Sequence, residues 1–197
     1  MDLVIVPTGV ANLASVEAAF RRLLVEPVIS AEPERIGAAS HVMLPGVGAF
    51  GPAIAALRRS GADRALVERI ARDRPTIAIC VGHQLLFRAS EESPGQAGLA
   101  VIDAVISRFP DTVRVPQFGW NLVTPHPDSA LLSEGHAYFA NSYRALEAPG
   151  WTVSTARHGG PFVAAVERGN ILGCQFHPEL SGPWGQALLA AFLDLDA

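Results

Sequence analysis

A chain of 197 residues, 49% of them hydrophobic, carries enough apolar material for the core of one domain and is not the composition of a disordered segment. Its net charge of −4, with no basic run, argues against direct nucleic-acid binding. No apolar stretch reaches membrane-spanning length, and the start Met1-Asp-Leu-Val-Ile-Val6 lacks the basic region and cleavage site of a signal peptide. Two cysteines, Cys80 and Cys174, fit a reducing compartment, so a cytoplasmic protein is expected.

Residues 3–6 read as a first strand, and 12–24 as a helix with Leu13, Val16, Phe20, Leu23 and Leu24 on one face. Residues 27–30 and 41–44 read as strands, the latter running into Pro45-Gly-Val-Gly48. Helices are expected over 50–59 and 62–72, then a strand over 76–79. A helix face continues through Leu85-Leu-Phe87, and 91–98 reads as a surface loop. Beyond residue 100 the pattern changes to short strands, over 101–109, 112–115, 120–124, 137–141, 151–156, 162–167 and 171–176, with a closing helix over 183–193. The fold class expected is α/β. It is an open, mostly parallel sheet flanked by helices on both faces, with an added antiparallel region in the C-terminal half, all in a single domain over 1–197.

Two segments carry chemistry. Ala78-Ile-Cys-Val-Gly-His-Gln84 puts Cys80 at the end of a buried strand and the start of a helix, where a sharp turn lifts a nucleophile out of a sheet. Gly82 leaves room for that turn. Helix-terminal N–H groups favour a thiolate, and the Val81 N–H is placed to donate to an oxyanion. The second segment is Gly173-Cys-Gln-Phe-His-Pro-Glu179. In extended chain His177 and Glu179 point the same way, so Glu179 can orient the imidazole while its other nitrogen faces Cys80. Cys174 points the other way, into the core. A lone cysteine after an apolar run is usually packing, and a lone His-Pro-Glu is usually a turn. Together they supply the nucleophile, base and orienting carboxylate of an acyl-transfer site. The other histidines, His41, His83, His126, His136 and His158, are scattered without ligand spacing, so no metal is expected. Gly46 and Gly48 flank Val47 at the end of a parallel strand, where ligands bind in open α/β sheets, and they permit a peptide flip. No lysine follows, which excludes a phosphate loop.

The Cys80 elbow with Gln84, the Pro-Gly-Val-Gly loop and Gln-Phe-His-Pro-Glu resemble class I, triad-type glutamine amidotransferases. Three further segments narrow the likeness: Ala11-Asn-Leu-Ala-Ser-Val16, Val115-Pro-Gln-Phe-Gly-Trp-Asn121 and Tyr138-Phe-Ala-Asn-Ser-Tyr143. With them the chain resembles, over nearly its whole length, the glutaminase subunits of imidazole glycerol phosphate synthases of histidine biosynthesis. The resemblance implies Cys80 as nucleophile, His177 as base and Glu179 as its partner, with no cofactor. It implies an oxyanion hole from Val47, Gly48 and Val81, and glutamine held by Gly46, Gly48, Gln84, Ser142 and Tyr143. It implies a heterodimer with a (β/α)₈ cyclase subunit, to which ammonia passes, and an interface that includes Asn12, Trp120, Asn121 and Tyr138. Pro7, Ala78, His83, Phe118, Asn141 and Leu180 depart from the usual pattern without touching the triad. Leu180 stands where a basic residue is usual, which removes one cross-subunit ion pair. The glutaminase of another synthase, such as anthranilate synthase, is the alternative within the class; a silent binding subunit and a free-standing cysteine protease are the alternatives outside it.

Overall fold

The computed structural model describes residues 1–9, 13–46 and 48–196. The expected helix start at Asn12 and the centre of the glycine loop at Val47 lie outside the described residues.

Strands β1 (Leu3–Ile5), β2 (Val28–Ile29), β3 (His41–Leu44) and β4 (Thr76–Ile79) are joined through α1 (Leu13–Arg22), α2 (Pro33–Ala38), α3 (Phe50–Ser60) and α4 (Ala62–Ala71). The elbow helix α5 (Val81–Leu85) follows, then β5 (Phe87–Ser90), β6 (Ile102–Arg108), β7 (Gln117–Val123), β8 (Gly135–Asn141) and β9 (Tyr143–Arg144). The chain ends with β10 (Thr152–Arg157), β11 (Pro161–Arg168), β12 (Ile171–Cys174), a 3₁₀ turn (Pro178–Leu180) and α6 (Gly182–Leu193).

The main sheet runs β10-β11-β12-β4-β3-β1-β2. The five strands from β12 to β2 pair in parallel, and β11 and β10 extend them antiparallel. Every residue of β1, β3, β4 and β12 is buried, the mark of a sheet covered on both faces. The remaining strands form a β5-β6-β9 sheet and a β7-β8 hairpin.

Two expectations are corrected, and one helix is added. The helix after Cys80 stops at Leu85, and Phe87 opens a strand that pairs with β6. Its apolar residues are buried on all sides, so apolar content there does not report a helical period. Residues 112–115 form turns rather than a strand. Helix α2, six residues begun by Pro33, escaped the sequence reading because it has one buried residue, Ile36, and so no periodic face.

The edge of the sheet opposite the elbow is tied by Arg69. Its side chain is 2% exposed. It donates to the carbonyls of Ile36, Ala39, Ser40 and Pro75 and to the Thr76 hydroxyl, at 2.6–3.1 Å. One guanidinium thus joins α2, β3, β4 and α4. Arg69→Met orphans those acceptors, each worth about 1–3 kcal/mol when buried unsatisfied. The expected loss is about 3–5 kcal/mol in urea unfolding. A loss under about 1 kcal/mol would show that water replaces the bonds.

Candidate active site

Parallel pairing aligns Ile79 of β4 with Cys174 of β12. One residue further, where both strands leave the sheet, Cys80 and Gln175 stand side by side. The Cys80 N–H donates to the Cys174 carbonyl at 2.7 Å, and Gln175 turns its own N–H to Ala164 of β11 at 2.8 Å. Cys80 then takes φ 54° and ψ −109°, a backbone state costing a non-glycine residue about 1–3 kcal/mol, held by its surroundings. Those surroundings are tight. A Cβ on Gly82 would lie 2.1 Å from the Leu44 carbonyl oxygen, and one on Gly46 would lie 2.6 Å from the Val81 side chain. Two glycines therefore let the end of β3 press against the elbow.

His177 follows as an extended residue, φ −105° and ψ 93°. Its N–H donates to the Tyr138 carbonyl at 2.9 Å, and its own carbonyl accepts the Ser181 hydroxyl at 2.6 Å. Ser181 Oγ also accepts the Tyr138 N–H at 2.9 Å. The base is thus pinned to the β7-β8 hairpin on one side and to α6 on the other. His177 Nδ1 lies 2.8 Å from Glu179 Oε1, both side chains about 95% buried, at 5% and 6% exposure. Glu179 Oε2 has no partner among the described residues.

Burial alone would lower the His177 pKa. The hydrogen bonds to Cys80 and Glu179, with their charges, outweigh it and raise the value to about 10. An imidazolium is therefore favoured beside the sulfur. Cys174 is 0% exposed; burial first, then the charges of Glu167 and Glu179, raise its thiol well above the usual range, leaving it inert. His83 is also fully buried. Burial lowers its pKa to about 3, so it packs as a neutral ring edge-on to Phe87.

A cavity of about 160 Å³ opens on Cys80, lined by Gly48, Val81, Gln84, Glu92, Ala140, Asn141 and His177. It is smaller than the roughly 300–1,000 Å³ of sites for drug-sized ligands. The structure brings Gly48, Cys80, Val81, Gln84 and His177 together there; Glu179 stands behind His177. Gly46 lies beneath the elbow, its carbonyl accepting the Val81 N–H at 3.2 Å. Ser142 and Tyr143 are not in the lining. The Ser142 carbonyl accepts the Phe109 N–H, and that of Tyr143 accepts the amides of Gln84 and Asn141, at 3.2 and 2.9 Å. Three residues at the site escaped the sequence reading: Glu92, Asn141 and Gln175. Glu92 sits in the segment read as a surface loop, yet its carboxylate accepts the Phe50 N–H at 2.7 Å and caps α3. The signal for it was the lack of a capping side chain at Ala49.

Trp120 and Tyr138 lie outside the cavity, edge to face at 6.3 Å across the hairpin, and Asn121 donates to the Arg157 carbonyl. On the outer side of β7, Phe118 (66%), Trp120 (58%) and Leu122 (38%) are exposed. Leu180 is exposed too.

A sheet of this order, with a cysteine elbow and a His-Glu pair at its C-terminal edge, defines a class of enzyme. The chain belongs to the family described as Glutamine amidotransferase class-I, matched over residues 4–195. It is 40% identical over 201 residues to "Imidazole glycerol phosphate synthase subunit HisH" of Escherichia coli K12, covering 99% of this chain and 100% of that one. It is 39% identical over 193 residues to the subunit of the same name in Symbiobacterium thermophilum, covering 95% and 91%. "Imidazole glycerol phosphate synthase hisHF, chloroplastic" of Arabidopsis thaliana is 40% identical over 193 residues; the match covers 94% of this chain and 33% of that longer protein. Among solved structures, a glutamine amidotransferase superposes with TM-score 0.78 at 22% identity, covering 97% of each chain. The PurLQS structure from Thermotoga maritima gives 0.76 at 15% identity, covering 98% and 97%. These two likenesses speak for the fold alone.

Because the folded pKa of His177 lies above its ordinary 6.5, proton binding favours the folded state. That contribution is complete below pH 6.5 and is lost as pH rises through about 10. An NMR titration of the His177 ring is expected to keep it protonated well above pH 6.5. In Cys80→Ala the midpoint falls, since burial remains and the sulfur is gone. A midpoint unmoved by loss of the thiol would show that the imidazolium is not held by Cys80.

Proposed function

We propose that the chain is the glutaminase subunit of an imidazole glycerol phosphate synthase. It hydrolyses L-glutamine to glutamate and ammonia as a cytoplasmic amidotransferase domain over 1–197. The observation that carries this is the convergence of Cys80 and the His177–Glu179 pair at a cavity of about 160 Å³.

The chemistry follows from the atoms present. The Cys80 thiolate attacks the glutamine side-chain carbonyl carbon, and the carbonyl oxygen takes the negative charge. His177 gives its proton to the amide nitrogen, the C–N bond breaks and ammonia leaves. The γ-glutamyl thioester remains. His177, now neutral, takes a proton from water; the hydroxide displaces the sulfur, and glutamate departs. Glu179 keeps the proton-bearing Nδ1 aimed at itself, so Nε2 serves the reaction. Val81 N–H, Gly48 and Val47 are the oxyanion donors in this reading. With the Val81 N–H donated to the Gly46 carbonyl, the glycine loop must turn before that donor meets an oxyanion. Gly48, at φ 93°, permits the turn. A missing oxyanion donor costs roughly 100- to 1000-fold in rate.

At the amino-acid end, Glu92 is the one carboxylate lining the cavity among the described residues and takes the glutamine ammonium. Asn141 Oδ1, buried and unpartnered among the described residues, accepts a further N–H. The cyclase subunit covers the exposed Phe118, Trp120 and Leu122 face and Tyr138, with Asn121 at its margin, and also contacts Asn12, making a heterodimer. Such a contiguous apolar stripe marks an interaction surface. Ammonia passes into the (β/α)₈ partner, which makes imidazole glycerol phosphate and the aminoimidazole carboxamide ribotide.

The test is glutamine hydrolysis by the chain alone and with a purified cyclase subunit and its ribulosyl ligand. The complex is expected to be roughly 100-fold or more faster. Cys80→Ala in the complex abolishes glutamine-dependent synthesis and spares the ammonia-dependent reaction. Equal rates with and without partner remove the loop switch, and glutamine turnover by Cys80→Ala removes the mechanism.

Glu92→Gln removes the ammonium's counter-charge while keeping an acceptor for Phe50. KM for glutamine is expected to rise at least tenfold, about 1.4 kcal/mol, with kcat changed little. An unchanged KM assigns the ammonium elsewhere.

A further inference from the structure

The sulfur of Cys80 has a second neighbour that neither the triad nor the oxyanion hole includes. Gln175 Nε2 lies 3.9 Å from Cys80 Sγ, in a side chain 0% exposed. Which end of that amide faces the sulfur is settled by a chain of hydrogen bonds with only one consistent reading. It starts at the Tyr143 carbonyl, which can only accept. The Gln84 amide 3.2 Å away must therefore present its NH₂ there. The same Gln84 nitrogen lies 2.9 Å from Gln175, so Gln175 must answer with its carbonyl oxygen. The Gln175 NH₂ is then left on the side of Cys80. Asn141 donates to the same Tyr143 carbonyl at 2.9 Å and fills its second lone pair.

We propose that Gln175 is the fixed hydrogen-bond donor to the Cys80 sulfur. It holds the thiolate in place between turnovers, and Gln84 locks the orientation of its amide. This rests on Cys80 being the nucleophile. The strand register supports it: Ile79 pairs with Cys174, so Gln175 has no freedom to stand anywhere but beside Cys80. Burial supports it again, because an amide N–H with no acceptor costs about 1–3 kcal/mol, and its own carbonyl is already used by Gln84. A donor to a charged acceptor is worth roughly twice a neutral one, so the bond favours thiolate over thiol. His177 delivers and removes the proton; Gln175 has none to give and acts only by orientation and charge.

The experiment is the pH dependence of Cys80 alkylation by iodoacetamide, followed by mass spectrometry of the Cys80 peptide so that Cys174 does not contribute. It uses the full chain without glutamine. It therefore reads the sulfur whether or not glutamine is the substrate, and glutamine turnover is scored separately. Gln175→Met keeps the volume and removes the donor. The midpoint of alkylation is expected to move up by about one pH unit, a tenfold loss of thiolate at fixed pH. In the cyclase complex kcat falls while KM for glutamine changes less than threefold. Gln175→Glu, which keeps the acceptor for Gln84 and turns an oxygen toward the sulfur, is expected to move the midpoint at least as far. It serves if the methionine variant lacks a cooperative melt. A residue that merely packs would lower the melting temperature and leave the midpoint in place. That result in a variant with a native-like melt overturns the proposal.

Discussion

The site depends on one backbone contact, the parallel pairing of β4 with β12. These strands are separated by about half the chain and share no local reason to meet. Apart from Thr76 both are apolar, and both are buried on two faces, so neither is stable except inside the sheet. Once Ile79 is aligned with Cys174, the residues that follow are placed without further choice. Cys80 bonds back to Cys174, Gln175 lies beside it, and the alternation of the extended chain sends His177 to the same end of the sheet. A slip of one residue would turn His177 away from Cys80 and take Phe176 out of the core. Phe176 sits in an aromatic cluster with Phe139 and Trp184, and that packing opposes the slip.

Strain at Cys80 is tolerated because its neighbours leave no alternative. The elbow is pressed by the Leu44 carbonyl from below and bonded through Val81 to Gly46. The bond that steadies the turn also occupies the Val81 N–H that the proposed mechanism uses. Stability of the resting loop and readiness of the proposed oxyanion site are therefore opposed. One hydrogen bond contributes about 0.5–1.5 kcal/mol net, whereas a stimulation of roughly 100-fold corresponds to about 2.7 kcal/mol. A switch of that size needs the resting loop held by more than this one bond, and a partner that offsets all of it.

Much of this was legible in the sequence, and the reasons differ by element. Buried parallel strands announce themselves as short apolar runs, so β1, β3, β4 and β12 could be read directly. Cys80, His177 and Glu179 could be read because their chemistry needs neighbours at fixed short spacing. Gln84 and Gly48 came through the family likeness. What could not be read were contacts made across the chain. Glu92 caps a helix 42 residues away, and Gln175 takes its orientation from Gln84 and, through it, from Tyr143. Neither has a local pattern, since an amide or carboxylate in a polar or apolar stretch looks the same whatever it will meet. The helix expected after Cys80 failed for a related reason. When all sides of a segment are buried, apolar residues carry no period and helix cannot be told from strand.

The exposed stripe on β7 belongs to the same mechanical unit as the base. Trp120 pairs across the hairpin with Tyr138, and the Tyr138 backbone accepts the His177 N–H while donating its own to Ser181. A surface that covers Trp120 therefore bears on the strand that positions the imidazole, with one residue pair between them. The hairpin rests on the main sheet through Thr124 and Thr155, whose N–H groups and carbonyls pair at 2.8 and 2.9 Å, and on α6. The Asn121 amide donating to the Arg157 carbonyl and the Tyr138 carbonyl accepting the His177 N–H hold it as well, and the outer side of β7 stays exposed. On the proposed function, a partner covering the hairpin would bear on His177 through the Tyr138 backbone, while the β4-β12 register keeps Cys80 fixed.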